Sequence, residues 1–520
     1  MLLHEIVSSA AAAAPGTTAL VAGERRWTFA ELQDLVASLG TGLARVTAPG
    51  ARVALVADNR PEYVAALYAV PRAGDVLVMG NTRHTPRELA DTLRSSGSSV
   101  VIATADQLVR LAEVAGELPG VGAWYCLDDV PDGAPHGSLP ATDLLDAGTE
   151  PPRGVDDGAT AWLIHTSGTT GLPKGAMLTH RSLVAAVLNT TMARPVSADD
   201  VYLFPFPLFH VAAYNVVHHH LRRRPVVLLP RFEPVAVMAA VEAERVTSIS
   251  LAPTMVSMLL DHPDRASHDL GSLRQIGYGA AAMPLDLLRR TLAELPEVGL
   301  AQGYGMTELS GNAVFLGPDE HRRAAAGEPE LLAAAGRPAP LVELRIVDDD
   351  GAVLGVGGVG EILVRGDQVC AGYWDDAAAT EASRTGDGWF RTGDVGRIDG
   401  RGYLSIVDRK KDLIITGGEN VSSREVEDVV SEHPAVAAVA AVGVADERWG
   451  ERVCVAVVWR DGAGVPHEEL LAWTEGRMAG FKRPRAVVVL DELPTNASGK
   501  VEKRRVRDIV AERHGSTGFA

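Results

Sequence analysis

From its start to about residue 330 the chain alternates short β-branched runs with Ala/Leu-rich helical stretches. This alternation limits the fold more than any other feature. "RVALVAD" (52–58) is followed by "RPEYVAALYAV" (60–70), where Pro61 suits a first helical turn. "SVVIAT" (99–104) and "PVVLLP" (225–230) are further apolar strands, each after a helical segment. Strands alternating with helices predict an α/β fold of parallel sheets covered on both faces. No internal repeat is present.

At about residue 336 the texture changes to "RPAPLVELRIVDDDGAVLGVGGVGEILVRG", short strands with turn signals, which predicts a small β-rich unit over about 336–408. Inside it "GVGGVG" (355–360) matches a dinucleotide fingerprint, but it leads into the strand-like "EILVRG" and not into a helix. These glycines are therefore read as turns. "YLSIVDRKKDLIITGGENV" (403–421) places five charged residues, Asp408 to Asp412, between two strand-like runs. The remaining hundred or so residues suit a small α+β domain.

A length of 520 residues suggests three or four structural units at about 150 residues each. Apolar residues at 46% and charged residues at 22% are those of a globular protein. The net charge of −18 argues against nucleic acid or anionic membrane as a partner. Polyphosphate binding would need locally concentrated cations. Cys126, Cys370 and Cys454 are too few and scattered for a disulfide framework. The N-terminal "MLLHEIVSSAAAAAPG" lacks a basic leader and reads as a helix, and no run is long enough to span a membrane. A cytoplasmic location is the expectation.

Four stretches can carry chemistry. "WLIHTSGTTGLPKGAMLTH" (162–180) is a strand followed by hydroxyl donors and glycines. Ser167, Thr169 and Thr170 offer hydroxyls, Gly168 and Gly171 let backbone N–H groups converge on an anion, and Lys174 adds a charge. It is no Walker loop, since Gly175 follows the lysine. In "QGYGMTELSG" (302–311) Tyr304 lies between glycines, suited to stacking on a flat base, and Thr307 and Glu308 pair a hydroxyl with a carboxylate for Mg²⁺ and phosphate. "WFRTGDVGRI" (389–398) puts Asp394 at a strand end, where it can accept ribose hydroxyls. "NASGKVEK" (496–503) presents Lys500. Each has a bland reading alone: a helix cap, a turn, an exposed lysine.

In series, "TSGTTGLPKG", "YGMTE", "FRTGD" and "SGK" resemble the adenylate-forming superfamily, and the acyl-CoA synthetases in particular. The resemblance runs from "WTFAELQDLV" near residue 27 to the lysine loop. It implies a large N-terminal AMP-binding domain (1–408) of two αβ layers plus a small β-barrel, a hinge (409–411), and a small mobile C-terminal lid (412–520). It implies the cofactors ATP, Mg²⁺ and CoA. Thr166 to Lys174 would hold the β- and γ-phosphates. Tyr304 with Gly279, Ala280 and Ala281 would line the adenine site, and Asp394 and Arg409 would take the ribose. Thr307 would contact phosphate, Glu308 would hold Mg²⁺, and Lys500 would bridge the acid and the α-phosphate. His210 resembles the gate between acyl pocket and thiol channel. Lys411 aligns with the hinge residue, and Gly417 and Gly418 of "GGEN" would pass the pantetheine arm.

The implied reaction joins a carboxylic acid to CoA through an acyl-adenylate. Ala212, Ala213, Tyr214 and Gly303 are expected to line the acyl pocket. Small residues at 212, 213 and 280–282 suggest a roomy cavity for a medium- or long-chain, or bulky apolar, acid. His218, His219 and His220 point in different directions on a helix, make a poor metal cage, and are expected to be polar or partly exposed. Two other readings are a ligase loading a carrier-protein phosphopantetheine, which the lack of a fused carrier after residue 520 disfavours, and a non-catalytic nucleotide-binding protein. A homodimer is compatible with all of them.

Overall fold

The computed structural model describes the chain except residues 146–152, 167–172, 280, 282, 447, 461, 496–500 and 516–520. Ser167, Gly168, Thr169, Thr170, Gly171, Ala280 and Lys500 therefore lie outside the described residues.

The alternating strands assemble into two large sheets. One has seven strands in the order Leu139–Pro140, Ala123–Cys126, Val100–Ala103, Arg52–Val56, Val76–Met79, Thr160–Thr166, Lys174–Thr179. All neighbours are parallel until the last pair, Thr160–Thr166 with Lys174–Thr179, which is antiparallel. The second sheet has nine strands. Its parallel centre runs from Gly299–Met306 through Gln275–Gly279, Ser248–Leu251, Tyr202–Phe204 and Val226–Leu228 to Thr18–Ala22. The hairpin Thr18–Thr28 thus joins strands some 200 residues away in sequence.

Helices between the sheets build the main core, in which Phe29, Tyr63, Tyr68, Trp162, Tyr202 and Phe204 are fully buried. The buried indole of Trp162 donates to the Leu67 carbonyl at 3.0 Å, so the ring costs no unmet donor. Thr28, Thr85 and Thr179 cap the helices that follow them, each accepting from the backbone three residues on. Residues 355–359 form turns, as read from the sequence, and the strand starts at Gly360.

The β-rich unit is a four-stranded antiparallel meander of Glu343–Val347, Gly360–Arg365, Phe390–Ile398 and Leu404–Arg409. A further five-stranded sheet begins at Ile414 and carries its own apolar cluster around Val426, Val455 and Leu470. No helix among the described residues is long and apolar enough to cross a membrane.

The three histidines are not surface groups. His218, His219 and His220 are all fully buried, because the helix Tyr214–Leu221 lies between the sheets and packs on the helices Glu5–Ala13 and His180–Ala193. His219 stacks on Tyr202 with ring centroids 3.9 Å apart, and its Nδ1 meets the Asn215 carbonyl at 2.8 Å. His220 donates from Nε2 to the Ala19 carbonyl at 3.1 Å, so its Nδ1 accepts from the Tyr68 hydroxyl at 2.8 Å. For His219 and His220, ring stacking and hydrogen-bond partners stand in for solvent.

Candidate active site

The antiparallel strands Thr160–Thr166 and Lys174–Thr179 end on the register pair Thr166–Lys174. Thr166 Oγ1 donates to Glu308 Oε1 at 3.2 Å, and the Tyr373 hydroxyl donates to the same oxygen at 3.1 Å. The Lys174 ammonium stands over the Tyr373 ring at 5.4 Å. One hydroxyl, one phenol, one carboxylate and one cation therefore converge where the loop leaves the sheet. Burial and the neighbouring Glu308 push the Tyr373 pKa up, which keeps the phenol a donor. Thr307 and Glu308 lie in a single 3₁₀ turn, Thr307–Leu309, that ends at Ser310 in the left-handed region (φ 55°). Backbone bonding from Cys370 N–H to the Glu308 carbonyl at 2.8 Å fixes that turn from the other side.

A second cluster adjoins the strand Gly299–Met306. The Tyr304 hydroxyl donates to Asp394 Oδ2 at 2.7 Å, and Arg409 Nε lies 3.4 Å from Asp394 Oδ1. Asp394 and Arg409 are register partners on adjacent strands. Asp394 sits inside the strand Phe390–Ile398, and not at its end as the Gly393–Asp394 pair suggests. The chain accommodates Gly393 at φ 69° and a register shift after Val395, so the strand continues through the turn-like sequence. Burial and Asp394 push the Tyr304 pKa well up.

Glycines clear the space around this tyrosine. Gly279 pairs with Gly303, whose carbonyl would lie 2.6 Å from a Cβ at 279. A Cβ at Gly305 would meet the Gly311 carbonyl at 2.0 Å. Ala281 follows the same strand as an exposed residue.

His210 precedes the short turn Val211–Ala213, its ring 4.7 Å from that of Phe209. Both line a cavity of about 50 Å³ with Met79, Asn81, His84, Thr92 and His165. This cavity is small, and Ala212, Ala213, Tyr214 and Gly303 do not line it. Ala212 is partly exposed, whereas Ala213 is fully buried and Tyr214 nearly so, both within the main core. The helix that follows them is enclosed, which is why these two side chains pack inward.

Lys411 is exposed in the turn after Arg409, next to Lys410, whose Nζ is 2.9 Å from Asp349. Gly417 and Gly418 form the tip of the hairpin Ile414–Val421 with φ of 61° and 84°. Gly417 N–H donates to the Trp449 carbonyl at 2.7 Å. A Cβ at 417 would press on the Trp449 ring at 3.0 Å.

For Mg²⁺ the fit is good. A carboxylate with adjacent hydroxyls, beside a cation-bearing loop, is the protein share of a site whose other ligands are phosphate oxygens and water. Among the described residues no group of three His, Cys, Asp or Glu can hold a metal unaided. Glu308 is the carboxylate that would hold the ion.

Fold and site together define an ATP-dependent enzyme that activates a carboxylic acid. The profile of AMP-binding enzymes matches residues 7–374, and that of the AMP-binding enzyme C-terminal domain matches 425–500. A feruloyl-CoA synthase of an Amycolatopsis species is 41% identical over 499 residues, 95% of this chain and 96% of that one. The amide bond synthetase McbA from Marinactinospora thermotolerans superposes with a TM-score of 0.87 at 32% identity, covering 98% and 99% of the two chains. The o-succinylbenzoate CoA synthetase from Bacillus subtilis, solved with ATP and magnesium ion, gives a TM-score of 0.83 at 30% identity over 97% and 99%. The chain belongs to the AMP-binding enzyme family. Its class is that of the AMP-forming acid–thiol ligases, which use ATP, Mg²⁺ and CoA.

One residue of the Glu308 cluster escaped the sequence reading. Tyr373, in "AGYWDD", bonds to Glu308 from 65 residues away, and only its place between a glycine and a tryptophan set it apart.

Proposed function

We propose that this ligase acts on a bulky, ring-bearing carboxylic acid, with CoA as acceptor, and that it works in the cytoplasm, with a homodimer compatible with this reading. The convergence of Thr166, Tyr373 and Lys174 on Glu308 carries the reading. It collects donors and one carboxylate at the mouth of a loop suited to pyrophosphate. The acyl groups named in two relatives, feruloyl and o-succinylbenzoyl, are ring-bearing.

The chemistry follows from charge. Carboxylate and triphosphate repel each other, so attack on the α-phosphate needs fixed cations and alignment. Tyr304 would stack on adenine while Asp394 and Arg409 take the ribose, which positions the α-phosphate. The loop from Thr166 to Lys174 and Thr307 would grip the leaving pyrophosphate. Mg²⁺ on Glu308 would neutralise charge on the phosphates. Lys500 would bridge the acid and the α-phosphate, with His210 as gate. Rotation about Lys411 would then bring the Gly417–Gly418 turn in and open a path for the thiol.

Pyrophosphate release is the direct assay. With ATP, Mg²⁺ and a panel of ring-bearing and straight-chain acids, ring-bearing acids should give the higher turnover, and CoA should be consumed in step. No pyrophosphate with any acid would overturn the reading. Turnover with a carrier-protein phosphopantetheine or an amine in place of CoA would change the acceptor.

A further inference from the structure

Gln275, Gly277 and Gly279 share one face of their strand, since alternate strand residues point the same way. Ser248 and Ser250 lie beside Gln275 and Gly277 in the parallel register. Arg194, directly after the helix His180–Ala193, lies across this face. Its Nε donates to Gln275 Oε1 at 2.9 Å, Nη2 to Ser248 Oγ at 3.0 Å and Nη1 to Ser250 Oγ at 3.3 Å. The guanidinium fills the space that Gly277 leaves, for a Cβ there would stand 2.6 Å from Nη1.

All three partners are neutral. Arg194 is only 7% exposed, and among the described residues no carboxylate pairs with it. A guanidinium taken out of water without a counter-charge is unfavourable. Three of its five N–H donors are used in these bonds, and two remain. His218 adds a second unmet demand. It is fully buried, and neither ring nitrogen has a hydrogen-bond partner. Burial and the Arg194 charge push its pKa down to about 3, so the ring is neutral, with one donor and one acceptor nitrogen.

Gly277 lies under the guanidinium, and Gly279, two residues on along the same face, pairs with Gly303 on the Tyr304 strand. Gly303 is one of the residues expected to line the acyl pocket. We propose that Arg194, with His218 beside it, closes the far end of the acid pocket and recognises a hydrogen-bond acceptor at the end of the acid remote from its reacting carboxylate. A second carboxylate or a ring carbonyl oxygen meets this description. The inference rests on the ligase reading and narrows its substrate class.

Matched acids test it in the full-length enzyme: a ring-bearing monoacid, the same skeleton with a distal carboxylate, and the same skeleton with a distal carbonyl. One or both acceptor-bearing acids should exceed the plain acid in kcat/KM for pyrophosphate release by at least ~10-fold. The arm that wins identifies the acceptor. Arg194→Met should remove that preference, with the plain acid changed by less than about threefold. Arg194→Lys should restore part of it for the distal carboxylate. If the Met variant fails to fold, Ser250→Ala, which loosens one guanidinium contact, should lower the same preference, and His218→Leu should do so for the carbonyl acid. The proposal falls if the plain acid is preferred, or if the variants lower all three acids alike. Inactivity of the wild type with every acid would instead remove the ligase reading itself.

Discussion

The Tyr304 hydroxyl lies 2.7 Å from Asp394 Oδ2, so a ring flanked by glycines on the nine-stranded sheet is tied to a carboxylate on the small meander. Asp394 also meets Arg409, the first residue of the expected hinge segment. Any ligand bridging Tyr304 and Arg409 is thereby held across two sheets.

Tyr304→Phe removes this bond and keeps the ring. A hydrogen bond to a charged acceptor contributes about 1.5–3 kcal/mol, so the KM for ATP should rise about tenfold or more, with kcat changed far less. Initial-rate kinetics at saturating acid check this. An unchanged KM for ATP would detach the pair from nucleotide binding.

Glu308→Gln keeps an acceptor for Thr166 and Tyr373 but loses the charge. The Mg²⁺ concentration for half-maximal rate should rise at least ~10-fold and the rate should fall by about 10²-fold. A Mg²⁺ titration at fixed ATP shows whether both occur.

Lys500→Ala should raise the adenylation barrier by about 2.7–4 kcal/mol and spare thioester formation from a supplied acyl-adenylate. Lys411→Pro should do the opposite, slowing the second step more than the first. Equal loss of both steps in either variant would refute its assigned role.

Acid should destabilise the fold before it titrates most carboxylates. Burial lowers the pKa values of His4, His165, His180 and His220 to about 4 each. The unfolded chain takes up these protons near its ordinary value of 6.5, and the folded chain resists until about 4. Stability is therefore full above pH 6.5 and is lost progressively as pH falls toward 4. A single such group gives up at most about 3 kcal/mol. Urea unfolding at pH 7, 6 and 5 should show the decline, and His220→Phe should reduce its slope. A flat profile would show that these rings are not held neutral.

Gly305→Ala should cost about 2 kcal/mol or more, since the added methyl meets the Gly311 carbonyl at 2.0 Å and backbone has to shift. A lowered thermal midpoint with reduced ATP affinity is the expected result.

Periodicity made the layers legible. Apolar runs such as 52–56 and 100–103, buried on both faces, became parallel strands, and Pro61 opens its helix. Strand order was not legible, because which strand pairs with which depends on packing between distant segments. The same limit hid the histidines. A helix with polar residues at 218–220 reads as exposed until the covering helices are known. At the site, "YGMTE" and "FRTGD" pointed to Glu308, Tyr304 and Asp394, but the contacts among them, and Tyr373 itself, belong to tertiary structure. Ser167 to Gly171, Ala280 and Lys500 stand on sequence alone.

The hairpin Thr18–Thr28 completes the nine-stranded sheet by pairing with Val226–Leu228. A ribosome adds about 5–20 residues per second, so the first strand waits roughly 10–40 s for its partner. During that interval its unpaired edge is open to neighbouring nascent chains. The yield of active enzyme should therefore depend on translation speed and on chaperones that shield the N-terminal segment.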